Sequence, residues 1–315
     1  MESGLSPKVA VITVYFNRPD NIEDSVQSLI SQTYKNLDIF IIDDCSKDNT
    51  YQKLKEVEGK DRRIKLYQNE RNKGFTKTLI DTISTLDAKY IAIHGAGDIS
   101  MPTRIEEQVR YLEDNPEVGV LSTDIVNITK RRFKKKEITL KDLLKGNLVR
   151  HSAVMFKLED YIKVGGYRSF FTTRQDRDLW LRMSLITKIH YLPRKLCELI
   201  DIEGSVSQTS SKTAIPIHLS GFAVFLIKER VIYNTDSLDL FGEKGALFYC
   251  PKRSNKLIFN YLVRNLYNRN FKPSIENIDA LLKINTNFFM IFFLRTMKSF
   301  LNLLLVTSKR FNLKT

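Results

Sequence analysis

Cysteine is scarce: Cys45, Cys197 and Cys250 are the three in 315 residues. They are too few and too scattered for a disulfide framework, and no Cys-x-x-Cys or Cys/His spacing marks structural zinc. A reducing cytosol is the simplest compartment. With 13 Gly and 8 Pro, collagen-like and low-complexity architectures are excluded. No stretch offers 18 uninterrupted apolar residues, so no spanning helix is expected. Residues 1–7 carry no basic start and no apolar core, so no secretion signal is expected. His94, His151, His190 and His218 show no ligand spacing, and no zinc site is expected. No internal repeat is present.

What remains is a foldable composition, 43% hydrophobic and 27% charged, sufficient for one large α/β domain or a domain with an appendage. The net charge of +14 is uneven: residues 211–315 hold 16 Lys or Arg against 6 Asp or Glu. A basic C-terminal third meets anionic lipid, nucleic acid or an acidic partner, or is a solvated surface. Charge alone carries the nucleic-acid reading, which is set aside. Lys130-Arg-Arg-Phe-Lys-Lys-Lys136 reads as an exposed loop or a polyanion contact.

Apolar, β-branched runs predict strands at Lys8 to Tyr15, Leu37 to Ile42, Ile64 to Tyr67, Tyr90 to Ile93, Arg150 to Phe156 and Lys188 to Leu192. Helices are predicted from Asn21, as cap, to about Gln32, from about Thr50, from Phe75 to Leu86, from Ser100-Met-Pro102 to about Asn115, and from Asp176 to Met183. Gly165-Gly166 is a turn. The alternation predicts a mostly parallel sheet covered on both faces. Ligands of such sheets bind beyond the carboxyl ends of strands. There this chain places Asn17-Arg18, Asp43-Asp44, Asn69 to Gly74 and Asp98. Beyond Ser211 the pattern turns to long helical segments, with a boundary near 205–215. The apolar runs 288–294 and 300–306, flanked by Arg295, Lys298, Lys309, Arg310 and Lys314, form a basic helical segment. It lies on an anionic bilayer or packs against protein, in this chain or an oligomer.

The ordered motifs over about residues 7–207 resemble family 2 glycosyltransferases. They are the opening strand ending Tyr15-Phe-Asn17, Ser28-Leu-Ile-Ser-Gln-Thr-Tyr34, Ile42-Asp-Asp-Cys-Ser-Lys-Asp-Asn-Thr50, the N-x-x-N-x-G run Asn69 to Gly74, and Gly165-Gly-Tyr-Arg168 followed by Gln175-Asp-Arg-Asp-Leu-Trp-Leu-Arg182. The resemblance implies a GT-A (Rossmann-like) fold in residues 1–210, with a donor half over about 1–125 and an acceptor half over about 126–210. A helical C-terminal region, 211–315, follows. It implies direct displacement with inversion, from a nucleotide-diphosphate sugar, with UDP the expected nucleotide, to a hydroxyl of a glycan or lipid-linked saccharide in polysaccharide synthesis. From the cysteine usage and the basic C-terminal segment, the expected place is the cytoplasm, free or at the inner face of the cell membrane. Where many relatives read Asp-Ala-Asp-Asp this chain has Gly95-Ala96-Gly97-Asp98. Both acids of the DxD pair are absent, which leaves a divalent Mn²⁺ or Mg²⁺ weakly held or dispensable.

On this reading Asp43 and Asp44 contact the nucleotide, or else form an Asx turn or cap. Phe16 faces the base or joins the core. Arg71, Lys73 and Lys77 meet the phosphates or are surface charges. Gly95 and Gly97 permit close backbone approach, or merely turn. Asp98 serves the diphosphate or metal, or caps a helix. Asp176 is the general base. Asp178, two residues on, does not share its face and caps the helix or meets Arg182. Gln175, His151 and Trp180 lie on the acceptor side, with packing as the alternative for His151 and Trp180. Two rival functions are a nucleotidyltransferase, disfavoured because the first loop, Phe16-Asn-Arg-Pro-Asp20, is not Gly-rich, and a nucleotide-sugar-binding scaffold without turnover.

Overall fold

The computed structural model describes residues 6–126, 136–200, 215–249, 262–268, 270–284 and 292–302. Cys250, residues 130–135 of the basic run, the boundary near 205–215 and most of the two C-terminal apolar runs lie outside the described residues. The chain divides into two units, Met1–Ile202 and Glu203–Thr315.

In the first unit, β1 (Val9–Tyr15) is buried along its whole length, as expected of a strand covered on both faces. It lies between β2 (Leu37–Asp43) and β4 (Tyr90–Ile93), parallel to both, with Tyr15 opposite Asp43 and Ile12 opposite Ile93. β3 (Ile64–Gln68) adds outside β2, also parallel. The chain thus steps outward from β1 to one side and returns to the other. This creates a crevice at the carboxyl ends of β1 and β4, where ligands of open α/β sheets bind.

The sheet has eight strands in the order β3-β2-β1-β4-β7-β6-β8-β5, with β5 at Ile99–Ser100, β6 at Val118–Ile125, β7 at Val154–Lys157 and β8 at Lys188–Glu198. β7 and the two-residue β5 run against the other six. The fold is therefore α/β with a mostly parallel, mixed sheet. α1 (Ile22–Ile30) buries Ile22, Ser25, Val26 and Leu29 on one stripe against this sheet's core. α2 (Thr50–Glu58) contributes Leu54 and Val57. α3 (Phe75–Ile83), α4 (Arg104–Asp114), α5 (Leu140–Lys145), α6 (Leu158–Lys163) and α7 (Gln175–Met183) complete the unit.

Four local expectations are corrected. Asn21 occupies the cap position of α1 in the left-handed region (φ 59°) and makes no side-chain cap bond. Its Nδ2 instead donates to the Gly97 carbonyl, 2.6 Å away, tying the first loop to the Gly95–Asp98 turn. The helix expected at Ser100 starts at Arg104, because Ile99 and Ser100 pair with Glu198 and Cys197. Residues 151–153 form a 3-10 turn, and the strand predicted from Arg150 begins at Val154. β8 continues past Leu192 because its register with β6 slips between Thr123/Leu192 and Asp124/Lys195. The slip leaves Pro193, which has no N–H, out of the ladder.

The second unit is helical where described: Ile215–Tyr233, Ser237–Phe241, a 3-10 segment Gly242–Phe248, Phe271–Ile284, and residues 262–267 and 292–302. Leu262, Ile278, Leu294 and Leu301 form its buried cluster. Asp236 caps the second of these helices through the amides of Leu238 and Asp239 and pairs with Arg230 at 2.8 Å. Among the described residues no helix is long and apolar enough to cross a membrane.

Candidate active site

At the exit of β2, Asp43 and Asp44 are both buried. Asp43 Oδ1 accepts the Ser46 hydroxyl, and Oδ2 accepts the Ser46 amide (3.1 Å) and Gln68 Nε2 (3.0 Å). Asp44 Oδ1 accepts Asn69 Nδ2 (2.8 Å), the Lys73 amide (2.8 Å) and Thr78 Oγ1 (3.2 Å). Its Oδ2 accepts the Gly74 amide (2.8 Å), and its carbonyl accepts Asn72 Nδ2 (3.1 Å). The Asp-Asp and N-x-x-N-x-G motifs are therefore one structure. Asn69 and Gly74 are spaced to wrap a single carboxylate, and Asn72 holds the backbone carbonyl of the same residue. Gly74 adopts φ 82°, a conformation a side chain resists. The carboxylate pair organises the two loops that border the crevice.

Phe16 projects from the end of β1 with 46% of its surface exposed. Arg71 is exposed on the wrapped loop. Lys73 and Lys77 do not point along that loop: both ammonium groups pair with Asp81 on α3, at 2.8 and 3.1 Å.

Asp98 is nearly buried, at 7% exposure. Its Oδ1 accepts the Ile200 amide at 3.1 Å. Its Oδ2 lies so close to Gly95 that a Cβ there would sit 2.1 Å from it, with Ser152 next nearest at 3.3 Å. A side chain at 95 would force the Asp98 carboxylate out of this pose, so the glycine admits it. Gly97 adopts φ 81° and receives Asn21 on its carbonyl. Burial pushes the Asp98 carboxyl up, opposed by the Ile200 amide, Arg18, Arg104 and Ser152. One carboxylate so engaged does not fit a resident cation. Among the described residues no three His, Cys, Asp or Glu gather to hold an ion.

Beneath this turn His94 is buried, with Nε2 3.0 Å from Ser25 Oγ and Nδ1 3.1 Å from Ser100 Oγ. Burial first, and then the charge of Arg104, push it down to about 3, so its ring is neutral.

On the other side, Asp176 stands in the first turn of α7, where the helix dipole favours a carboxylate. Its Oδ2 accepts Asn147 Nδ2 (2.5 Å) and its Oδ1 the Arg177 amide (2.8 Å). The charge of Asp176 is felt at His151 and Tyr167, whose side chains meet at 2.7 Å. Burial lowers His151 despite Asp176 and raises Tyr167. Phe75, first residue of α3, sets its ring against His151 at 5.7 Å, and Thr76 donates to the Phe171 carbonyl (2.8 Å). Asp98 touches Ser152 and Asp176 acts on His151, so two adjacent residues link the acids.

Asp178 is buried against Arg182 (2.5 Å) and Arg168 (3.7 Å), a structural pair separate from Asp176. Gln175 is buried at the helix start. Trp180 is fully buried against Phe156 and His151. It backs the cluster and does not line an open cleft, correcting that assignment. Sequence reading missed Asn147, Tyr167 and Arg104 as site residues, and placed Arg18 at the strand ends without giving it a role. Tyr167 was visible as the third residue of the Gly165-Gly-Tyr motif. Arg104 shows as a cation at i relative to Gln108 on the buried stripe of α4.

The geometry gathers acids and basic residues at one crevice of an α/β sheet, and comparison fixes the class. The model of glycosyl transferase family 2 matches residues 10–195. The chain belongs to that family and is a glycosyltransferase. A Bacillus subtilis (strain 168) protein named as glycosyltransferase EpsE is 34% identical over 190 residues, 58% of this chain and 68% of that one. The Escherichia coli protein named UDP-Glc:alpha-D-GlcNAc-diphosphoundecaprenol beta-1,3-glucosyltransferase WfaP is 33% identical over 105 residues, 33% of this chain and 41% of that one. Two solved structures share the fold. S. aureus TarS 1-349 in complex with UDP-GlcNAc has a TM-score of 0.58 at 15% identity, over 97% of this chain and 92% of that one. The mannosyltransferase PcManGT from Pyrobaculum calidifontis, in complex with GDP-Man and Mn²⁺, has a TM-score of 0.59 at 14% identity, over 89% and 87%.

Proposed function

We propose that the protein is an inverting glycosyltransferase that moves a sugar from a UDP-linked donor to a hydroxyl of a glycan or lipid-linked saccharide. The observation that carries this is the placement of Asp176: a half-buried carboxylate in the first turn of α7, across the adjacent pair His151 and Ser152 from Asp98. The donor half is residues 1–125 and the acceptor half 126–210.

The nucleotide lies at the exits of β1 and β2. Asp43 and Asp44 fix the bordering loops, Phe16 offers its ring to the base, and Arg71 stands at the phosphate side. The diphosphate lies beside Gly97 and Asp98. On the acceptor side Gln175 and His151 shape the pocket around Asp176. As the acceptor oxygen bonds to the anomeric carbon, its proton passes to Asp176. The bond to the diphosphate breaks on the opposite face, its electron pair leaving with the nucleoside diphosphate. Displacement at a single carboxylate inverts the centre. Asn147 keeps Asp176 aimed, and His151, held neutral by burial, does not compete for the proton.

The UDP named in one relative and one structural neighbour supports the donor, and the saccharide acceptor in the name of the Escherichia coli relative supports the acceptor. The exposed Ile232, Tyr233, Phe241, Leu247 and Phe248 of the basic second unit support contact with an anionic membrane surface. Sedimentation with anionic vesicles, and none with neutral ones, tests it.

The deciding experiment incubates the protein with UDP-sugars and candidate acceptors and follows release of nucleoside diphosphate and the anomeric configuration of the product. Inverted product from wild type and none from Asp176→Asn, with donor binding kept, supports the reading. Retained configuration, or full activity in Asp176→Asn, contradicts it. The missing DxD acids favour one second reading, a donor-binding scaffold, which predicts binding without turnover for every acceptor.

A further inference from the structure

Two arginines converge on the Asp98 turn, and neither pairs with a carboxylate among the described residues. Arg18 follows β1. Its amide is fixed by Thr50 Oγ1 at 2.8 Å, and one terminal nitrogen donates to the Ile200 carbonyl at 3.3 Å. Its Nε is buried and meets no acceptor. Ile200 also donates its amide to Asp98, so a single residue holds Asp98 on one side and Arg18 on the other. The Asp98 carboxyl feels the charge of Arg18 directly. Arg104 is completely buried. Its guanidinium donates to Gln108 Oε1 (3.2 Å), Ser100 Oγ (3.0 Å) and the Ile93 carbonyl (2.8 Å). All of these are neutral. A buried charge with neutral partners is costly unless a counter-charge is supplied from outside. The Ile93 carbonyl closes β4, so that charge sits directly under the Gly95–Asp98 turn.

Two positive charges thus stand beside the one carboxylate of this turn. A guanidinium with spare, fork-shaped donors binds phosphate oxygens bidentately. We propose that Arg18, backed by the buried charge of Arg104, neutralises the donor's diphosphate, and that transfer proceeds without a divalent cation. As the bond to the anomeric carbon breaks, the electron pair settles on the terminal phosphate oxygen, and the donors of Arg18 receive that charge. Asp98 is then a positioning residue that acts on Arg18 through Ile200. On this account a glycine at 95, where many relatives carry an acid, is compatible with diphosphate binding. It rests on the nucleotide-sugar reading above.

The test is calorimetry of the full chain with UDP, GDP and UMP, in EDTA and in Mg²⁺ or Mn²⁺, for wild type, Arg18→Ala and Arg18→Lys. Melting curves of each free protein check that it folds. The expected result is diphosphate binding in EDTA within about threefold of that with cation. Arg18→Ala should weaken the diphosphate by about ten- to a hundredfold, a loss typical of a charge-assisted bond. UMP should change little, and Arg18→Lys should recover part of the loss. Diphosphate binding that requires the cation and ignores Arg18→Ala overturns this inference and leaves the transferase reading standing. Failure of UDP and GDP to bind under any condition overturns the nucleotide-sugar reading itself, and this inference with it.

Discussion

The acids at the exit of β2 and the acid at the start of α7 are opposites. Asp44 accepts four hydrogen bonds on its carboxylate, all from residues 69–78. A carboxylate has about four acceptor sites, so it has no capacity left. Asp176 accepts two, from Asn147 and the Arg177 amide, and is only half-buried. The first is spent on architecture. The second keeps lone pairs free for an incoming proton. Two aspartates that look alike in a motif are thus separated by how fully the protein satisfies them.

That contrast can be broken by substitution. Asp176→Asn should lower turnover by about 10²–10⁴, the range for loss of a general base, with melting temperature unchanged. Measured nucleoside diphosphate release checks it. Asp44→Ala should instead act on stability, leaving the Lys73 and Gly74 amides without their acceptor, at about 3 kcal/mol or more by denaturant unfolding. A third acid sharpens the comparison: Asp178→Ala breaks a buried pair with Arg182 and should cost about 3–5 kcal/mol of stability. If Asp178→Ala left stability intact but removed activity, the separation of Asp176 from Asp178 would be wrong.

His94 gives a pH-dependent test, negligible near neutrality and growing as pH falls. The fold holds it near 3, whereas the unfolded chain titrates at about 6.5. Below about pH 6.5 the unfolded state therefore binds a proton that the folded state refuses. Stability should fall as pH drops from there toward 3, by about 1.4 kcal/mol per unit. Unfolding at a series of pH values checks this, and His94→Gln should flatten the slope. Smallest of all is Gly74→Ala, expected to cost about 1–2 kcal/mol through its positive φ. It should loosen the wrapped loop and weaken nucleotide binding before it affects the acceptor side.

The sheet and its crevice were legible because β1, β2 and β4 are unbroken apolar runs and helices fill the intervals. β6 was not foreseen: Ser122, Thr123 and Asp124 interrupt its apolar run, and the first two are buried by partners distant in the chain. β8 was cut short because Pro193 ends a strand in isolation, whereas a register slip absorbs it here. In the site, Asp98 and Asp176 stood out from their motifs. The division of labour between Asp44 and Asp176 did not, since it depends on which amides fold back onto each carboxylate. Asn147 and Arg104 were silent for the same reason: their significance lies in contacts 29 residues away, for Asn147 with Asp176, and, for Arg104, in side-chain hydrogen bonds made only to neutral partners among the described residues.

The most direct measurement is a crystal structure of the full chain with bound UDP-sugar. The diphosphate should lie between Arg18 and the Gly97–Asp98 turn, with the anomeric carbon presented to Asp176. A donor seated elsewhere, or an Asp176 carboxylate turned away from the sugar, would contradict the convergence on which the mechanism depends.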